Sequence, residues 1–108
     1  MRAHSARKAN SGIAELEQKA SQAASLLRLL ANENRLLILC QLVKTGEISV
    51  GDLAVAIGLS QSALSQHLAK LREEGLVATR REAQTIYYRI DNDDATRLLT
   101  SLKNIYCA

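Results

Sequence analysis

The chain is poor in aromatic residues: three tyrosines, at 87, 88 and 106, and no tryptophan or phenylalanine in 108 residues. A platform that stacks single-stranded bases needs several exposed rings, so recognition of single-stranded DNA or RNA is not expected. Long apolar runs are missing too, and none approaches the ~20 residues that a membrane span requires. The basic N-terminus (Arg2, Arg7, Lys8) lacks the apolar stretch of a secretory signal, so the expected compartment is the cytoplasm. Histidine occurs only at 4 and 67, and cysteine only at 40 and 107. That leaves no CxxC pair and no cluster with metal-ligand spacing. Proline is absent. There is no phosphate-binding loop and no general base beside either thiol, so a thiol enzyme such as a sulfurtransferase is disfavoured. No catalytic residue, metal or cofactor is expected.

What is present fits one domain, because a chain of this length cannot support two hydrophobic cores. Residues 1–11 read as a loose basic arm and 12–108 as a single folded unit. Fourteen Lys+Arg against eleven Asp+Glu give a net charge of +3, mild for a nucleic-acid binder but doubled in a dimer. Helical periodicity is strong at both ends. Residues 13–31 place Ile13, Leu16, Ala20, Ala23, Leu27 and Leu30 at three- and four-residue steps. Residues 34–45 are apolar over more than half the circumference, which predicts a central helix. Residues 92–106 carry Ala95, Leu98, Leu99, Leu102, Ile105 and Tyr106, with Asp91 as the expected cap.

The most informative stretch is 49–75. Ser49, with Asp52 three residues on, has capping-box spacing, and Leu53, Ala56 and Ile57 follow on one face. Gly58 supplies a left-handed stop, and Ser60 caps a second helix whose Ala63, Leu64, Leu68 and Leu71 point to a core. The other face of that second helix carries Gln61, Ser62, Ser65, Gln66, His67 and Lys70. A solvated surface helix prefers Glu and Lys. A face of serine and glutamine suits a DNA groove instead, since glutamine pairs bidentately with adenine and serine bonds to base or phosphate. This is a helix-turn-helix. Val77 to Ile90 then alternates as two strands, the wing of a winged helix, although the connection at Ala83-Gln84 lacks the usual Asn-Gly or Asp-Gly signal. Ser60, Gln61, Ser62, Ser65, Gln66, His67, Lys70, Arg80, Arg81 and Gln84 are the expected contacts to double-stranded operator DNA, while Arg89 stays open. The fold class is mainly α with a small β-hairpin. The first and last helices have more apolar face than one small winged domain covers, so they are expected to pair two subunits. That pairing would set two recognition helices about 34–36 Å apart, one turn of the duplex.

The order helix, helix, Glu47-Ile48-Ser49 strand, helix-turn-helix, wing and final helix resembles the ArsR/SmtB family of bacterial transcriptional repressors. The likeness is carried by Ala-Asn-Glu-Asn-Arg-Leu-Leu-Ile-Leu-Cys (31–40), Leu-Ser-Gln-Ser-Ala-Leu-Ser-Gln-His-Leu (59–68) and Leu-Arg-Glu-Glu-Gly-Leu-Val (71–77). Where the resemblance implies a thiolate metal site, Glu47–Asp52 reads Glu-Ile-Ser-Val-Gly-Asp, without cysteine. Where it implies a zinc site on the last helix, Asp91, Asp93 and Asp94 lie at its start and no histidine follows.

Taken singly, Cys40 reads as a small core residue and Cys107 as a tail thiol. Their pairing, one in the second helix and one at the end of Leu-Lys-Asn-Ile-Tyr-Cys, resembles the dithiol, persulfide-sensing branch of the family (the BigR, SqrR, HlyU and YgaV type). The resemblance implies that reactive sulfur species link Cys40 to Cys107 through a disulfide or polysulfide, and that the linked form releases DNA. A repressor answering to any thiol oxidant, peroxide included, is the alternative within the class. An interaction module that kept the fold and lost DNA binding is a further one.

Overall fold

The computed structural model describes residues 11–106, so residues 1–10, which include His4 and most of the expected basic arm, and residues 107–108, which include Cys107, lie outside the described part. Its elements run α1 (Ser11–Leu30), α2 (Glu33–Thr45), β1 (Ile48–Ser49), α3 (Val50–Ile57), α4 (Gln61–Glu73), β2 (Val77–Glu82), β3 (Thr85–Ile90) and α5 (Asp93–Tyr106). The chain divides into two units at Ala31/Asn32. The first contains α1, whose Leu16 and Leu27 are 62% and 53% exposed. All other elements belong to the second.

Local chemistry sets the ends of those elements. Asn32 Oδ1 accepts the Arg35 amide at 3.0 Å and starts α2. Ser49 Oγ accepts from Asp52 N at 3.2 Å and starts α3, and Ser60 Oγ accepts from Ala63 N at 3.1 Å and starts α4. Each bond satisfies one of the amide donors that a first helical turn leaves without a partner. Gly58 sits at φ 72°, ψ 29°, in the left-handed region that only glycine enters without strain, and closes α3.

Asp91, the cap expected for α5, does not fill that role. Asn92 Oδ1 does, accepting Ala95 N at 2.9 Å. Asp91 is held back by its own amide, which donates to Leu76 O at 2.8 Å at the open end of the hairpin. The helix therefore starts one residue later. Ala56 is also not a core residue. Leu53 and Ala54 are the buried pair of α3. At about 100° per residue, Ala56 is then turned to the outside, where it is exposed.

The core of the second unit is leucine-rich. Ile38, Leu39 and Leu42 of α2 are fully buried with Leu53 of α3, Leu64, Leu68 and Leu71 of α4, Leu76 before β2 and Leu99 of α5. The three strands form one antiparallel sheet in the order β1-β3-β2. The hairpin turn at Ala83-Gln84 closes despite its poor turn chemistry. Ala83 takes φ 57°, the one positive φ among the described residues other than glycine. Six paired positions from Val77↔Ile90 to Glu82↔Thr85 fix the register on either side of that turn.

Candidate DNA-binding surface and cysteine cleft

Helix α4 presents two distinct faces. Leu64, Leu68 and Leu71 anchor it to the core, while Gln61, Ser62, Ser65, Gln66 and Lys70 are exposed and His67 is half-buried. Ser60 is exposed, but its oxygen is committed to the cap. Lys70 Nζ lies 3.9 Å from Glu73 Oε1 and 3.5 Å from Glu74 Oε2. Exposed pairs of this kind are worth about 0–1 kcal/mol, so an incoming phosphate can displace them.

On the wing, alternation along β2 sends Arg80 and Arg81 to opposite faces of the sheet. Arg81 is exposed and has no ion-pair partner among the described residues. Gln84 is exposed at the turn. Arg80 is engaged on three sides. Its Nη2 and Nε donate to Glu47 at 2.9 and 3.2 Å, and its Nη1 donates to Glu82 Oε1 at 3.1 Å. Its guanidinium carbon lies 4.6 Å from the centroid of the Tyr87 ring, within cation–π range. The bonds from Arg80 hold the Glu47 carboxyl below its ordinary range, aided by the charges of Arg80 and Arg89 and opposed by partial desolvation. The same bonds, first from Glu47 and then from Glu82, push the Arg80 pKa up. Glu47 is not recognisable from the sequence as a wing residue. Its link to Arg80 depends on the β1–β3–β2 pairing, and nothing in the local pattern around either residue signals it.

Cys40 is half-buried on α2 and opens onto two adjoining hollows. One of about 160 Å³ is lined by Leu36, Cys40, Leu102, Lys103 and Tyr106. The other, of about 430 Å³, joins Cys40 to Leu37, Lys44, Ile57 and again Lys103. Among the described residues no group of His, Cys, Asp or Glu side chains is placed to hold a metal ion. No helix among them is long and apolar enough to cross a membrane.

Residues 32–79 match the family model described as "Bacterial regulatory protein, arsR family". The chain is 46% identical over 95 residues to the HTH-type transcriptional regulator YgaV of Escherichia coli K12, covering 88% of this chain and 96% of that one. The chain belongs to the ArsR family. The reduced form of HlyU from Vibrio cholerae superposes with a TM-score of 0.83 at 48% identity, covering 87% of this chain and 98% of that one. The transcriptional repressor BigR from Xylella fastidiosa gives a TM-score of 0.80 at 44% identity, covering 87% and 95%. This ArsR-family chain is therefore a DNA-binding transcriptional regulator with a winged helix-turn-helix, and its family is one of regulators rather than enzymes. Its relatives include both a repressor, BigR, and a protein described as a transcriptional activator, HlyU of Vibrio cholerae.

Proposed function

We propose that this regulator is a cytoplasmic homodimeric repressor that leaves its operator when reactive sulfur links Cys40 to Cys107. The observation that carries the reading is the shared hollow of Cys40, Lys103 and Tyr106. Residue 107 follows Tyr106 directly and stands four positions after Lys103. A direct disulfide needs Cα atoms within about 4.4–6.8 Å, and inserted sulfur atoms relax that limit. In the linking step one thiolate attacks the outer sulfur of a persulfide, forming a cysteine persulfide and expelling the donor's thiolate. The second cysteine thiolate then attacks the inner sulfur and expels hydrosulfide, leaving a disulfide.

Release follows if the link alters α5 in the dimer. Ile105 and Tyr106 of α5 are 68% and 80% exposed, and α1 exposes Leu16 and Leu27, so both helices offer apolar surface for a second subunit. Pinning α5 to α2 would change the freedom of the two recognition helices. The residues meeting DNA are Gln61, Ser62, Ser65, Gln66, His67, Lys70, Arg81 and Gln84, with Ser60 behind them as cap, on one domain from residue 12 onward.

Intact mass and DNA affinity, measured on reduced, glutathione-persulfide-treated and peroxide-treated protein, test the reading. A Cys40–Cys107 link with DNA released only in the persulfide sample supports it. Linkage and release under peroxide as well would make the protein a general thiol-oxidation switch. DNA affinity unchanged in both samples would return the two cysteines to core and tail residues. Cys40→Ser and Cys107→Ser should each bind DNA and ignore the persulfide.

A further inference from the structure

Arg80 and Arg81 are adjacent arginines on a wing, and charge alone treats them as equivalent phosphate contacts. We propose that they have different jobs: Arg80, strapped by Glu47, is a positioning residue that sets the pitch of the wing against the helix-turn-helix, and Arg81 carries the phosphate contact.

The strap crosses the whole sheet. Arg80 sits on edge strand β2 opposite Tyr87 of the central strand, and Tyr87 in turn stands opposite Ser49 of β1. The guanidinium lies over the Tyr87 ring and reaches Glu47, just ahead of β1. Two residues on, Ser49 caps α3, the first helix of the helix-turn-helix. Wing strand, tyrosine face, Glu47 and the α3 cap thus form one connected row. The β1–β3 pairing covers only two residue pairs, Ile48↔Tyr88 and Ser49↔Tyr87, so the backbone alone ties the wing to this end of α3 weakly. A two-pronged guanidinium–carboxylate contact supplies direction as well as attraction. Glu82 occupies the third nitrogen, so three of the five N–H donors of Arg80 are committed to carboxylates in this arrangement. Arg81, on the opposite face with no ion pair among the described residues, keeps its fork open.

The two roles predict opposite signs. Glu47→Gln removes a negative charge beside the wing. If Arg80 were a phosphate contact restrained by Glu47, that change would tighten DNA binding and steepen its salt dependence. If Arg80 positions the wing, the same change loosens binding and leaves the salt slope alone.

The test is an anisotropy titration over a range of salt, using a duplex that the wild-type protein has selected from a random pool. Expected for Glu47→Gln and Arg80→Ala is a loss of about fivefold each, the size of a pairwise coupling near 1 kcal/mol. The double variant should be no worse than either single one, and all three should share the wild-type slope. Arg81→Ala should lower the slope of log K against log salt by about 0.9 for each phosphate it no longer neutralises. Arg80→Lys keeps the charge and loses the fork, so it should behave as Arg80→Ala. Wild-type affinity in Arg80→Lys, tighter binding by Glu47→Gln, or a reduced slope in Arg80→Ala would each overturn the proposal. Melting curves of the variants separate wing repositioning from unfolding, and a loss of affinity that tracks global unfolding would also count against it.

Discussion

On α4, Gln61, Ser62, Ser65 and Gln66 stand outside a floor of Leu64, Leu68 and Leu71, and none of the four is bonded to a distant residue among the described ones. On the β2–β3 hairpin, Arg80 is bound to a carboxylate 33 positions away in sequence, while its neighbour Arg81 is open. Sequence pattern assigns both regions to a duplex, and the fold treats their side chains differently. A helix displays its polar residues by periodicity alone, because every outward position is presented to the same side. A strand hands successive residues to opposite faces, and whether a charge is available then depends on what the neighbouring strands bring alongside it.

The largest effect should come from removing the floor under the helix. Leu68 is fully buried, and Leu68→Ala is expected to cost about 2–5 kcal/mol of stability, read from denaturant unfolding, and to take DNA binding with it. A loss under about 1 kcal/mol would mean that α4 is not held by the core as its burial indicates. Gln66→Ala acts on the outside of the same helix and should leave the melting temperature in place. A bidentate base contact is worth about 1–3 kcal/mol, so affinity for the selected duplex should fall at least several-fold with relaxed preference at one base pair. An equal fall on random DNA would recast Gln66 as a backbone contact.

The same contrast explains what is legible in the sequence. The caps at Ser49 and Ser60, the stop at Gly58 and the burial of Leu64, Leu68 and Leu71 all follow from neighbours within about four residues, and all are readable. Ala56 is misplaced by its pattern because α3 is eight residues long, and so short a stretch leaves the angle of its buried face poorly fixed. Asp91 is misplaced because the last bond of the hairpin, to Leu76, decides where α5 can begin. The pairing of Arg80 with Glu47 is beyond reach for the same reason, since it exists only once β1 has found β3. The hollow around Cys40 likewise draws its walls from α2, α3 and α5.

The turn of the wing offers a smaller test of whether pairing overrides local preference. Ala83 holds φ 57°, which costs a residue bearing a Cβ roughly 1–2 kcal/mol relative to its favoured regions. Ala83→Gly removes that strain and gives back part of the gain as extra freedom in the unfolded chain. The expected net is a stabilisation of about 0.5–1 kcal/mol, seen as a rise in melting temperature with DNA affinity kept. A lowered melting temperature would show that the alanine methyl makes a contact worth more than the strain.

The smallest effect concerns acid. The folded state holds the Glu47 carboxyl below its ordinary value of 4.5, chiefly through the hydrogen bonds from Arg80, and Arg80 stays charged throughout. A carboxyl with a depressed folded pKa contributes its full stability above the unfolded value and loses it as pH falls through the folded one. The wild-type protein should therefore be slightly more stable than Glu47→Gln at neutral pH, and the gap should close as the pH drops below 4.5 toward the folded value. Glutamine still accepts a hydrogen bond, so what vanishes with acid is the ionic part of the strap. A gap that persisted unchanged through that range would mean that the variant loses packing rather than charge. The row from Arg80 to Ser49 would then be held by shape, with Tyr87 rather than Glu47 as its centre.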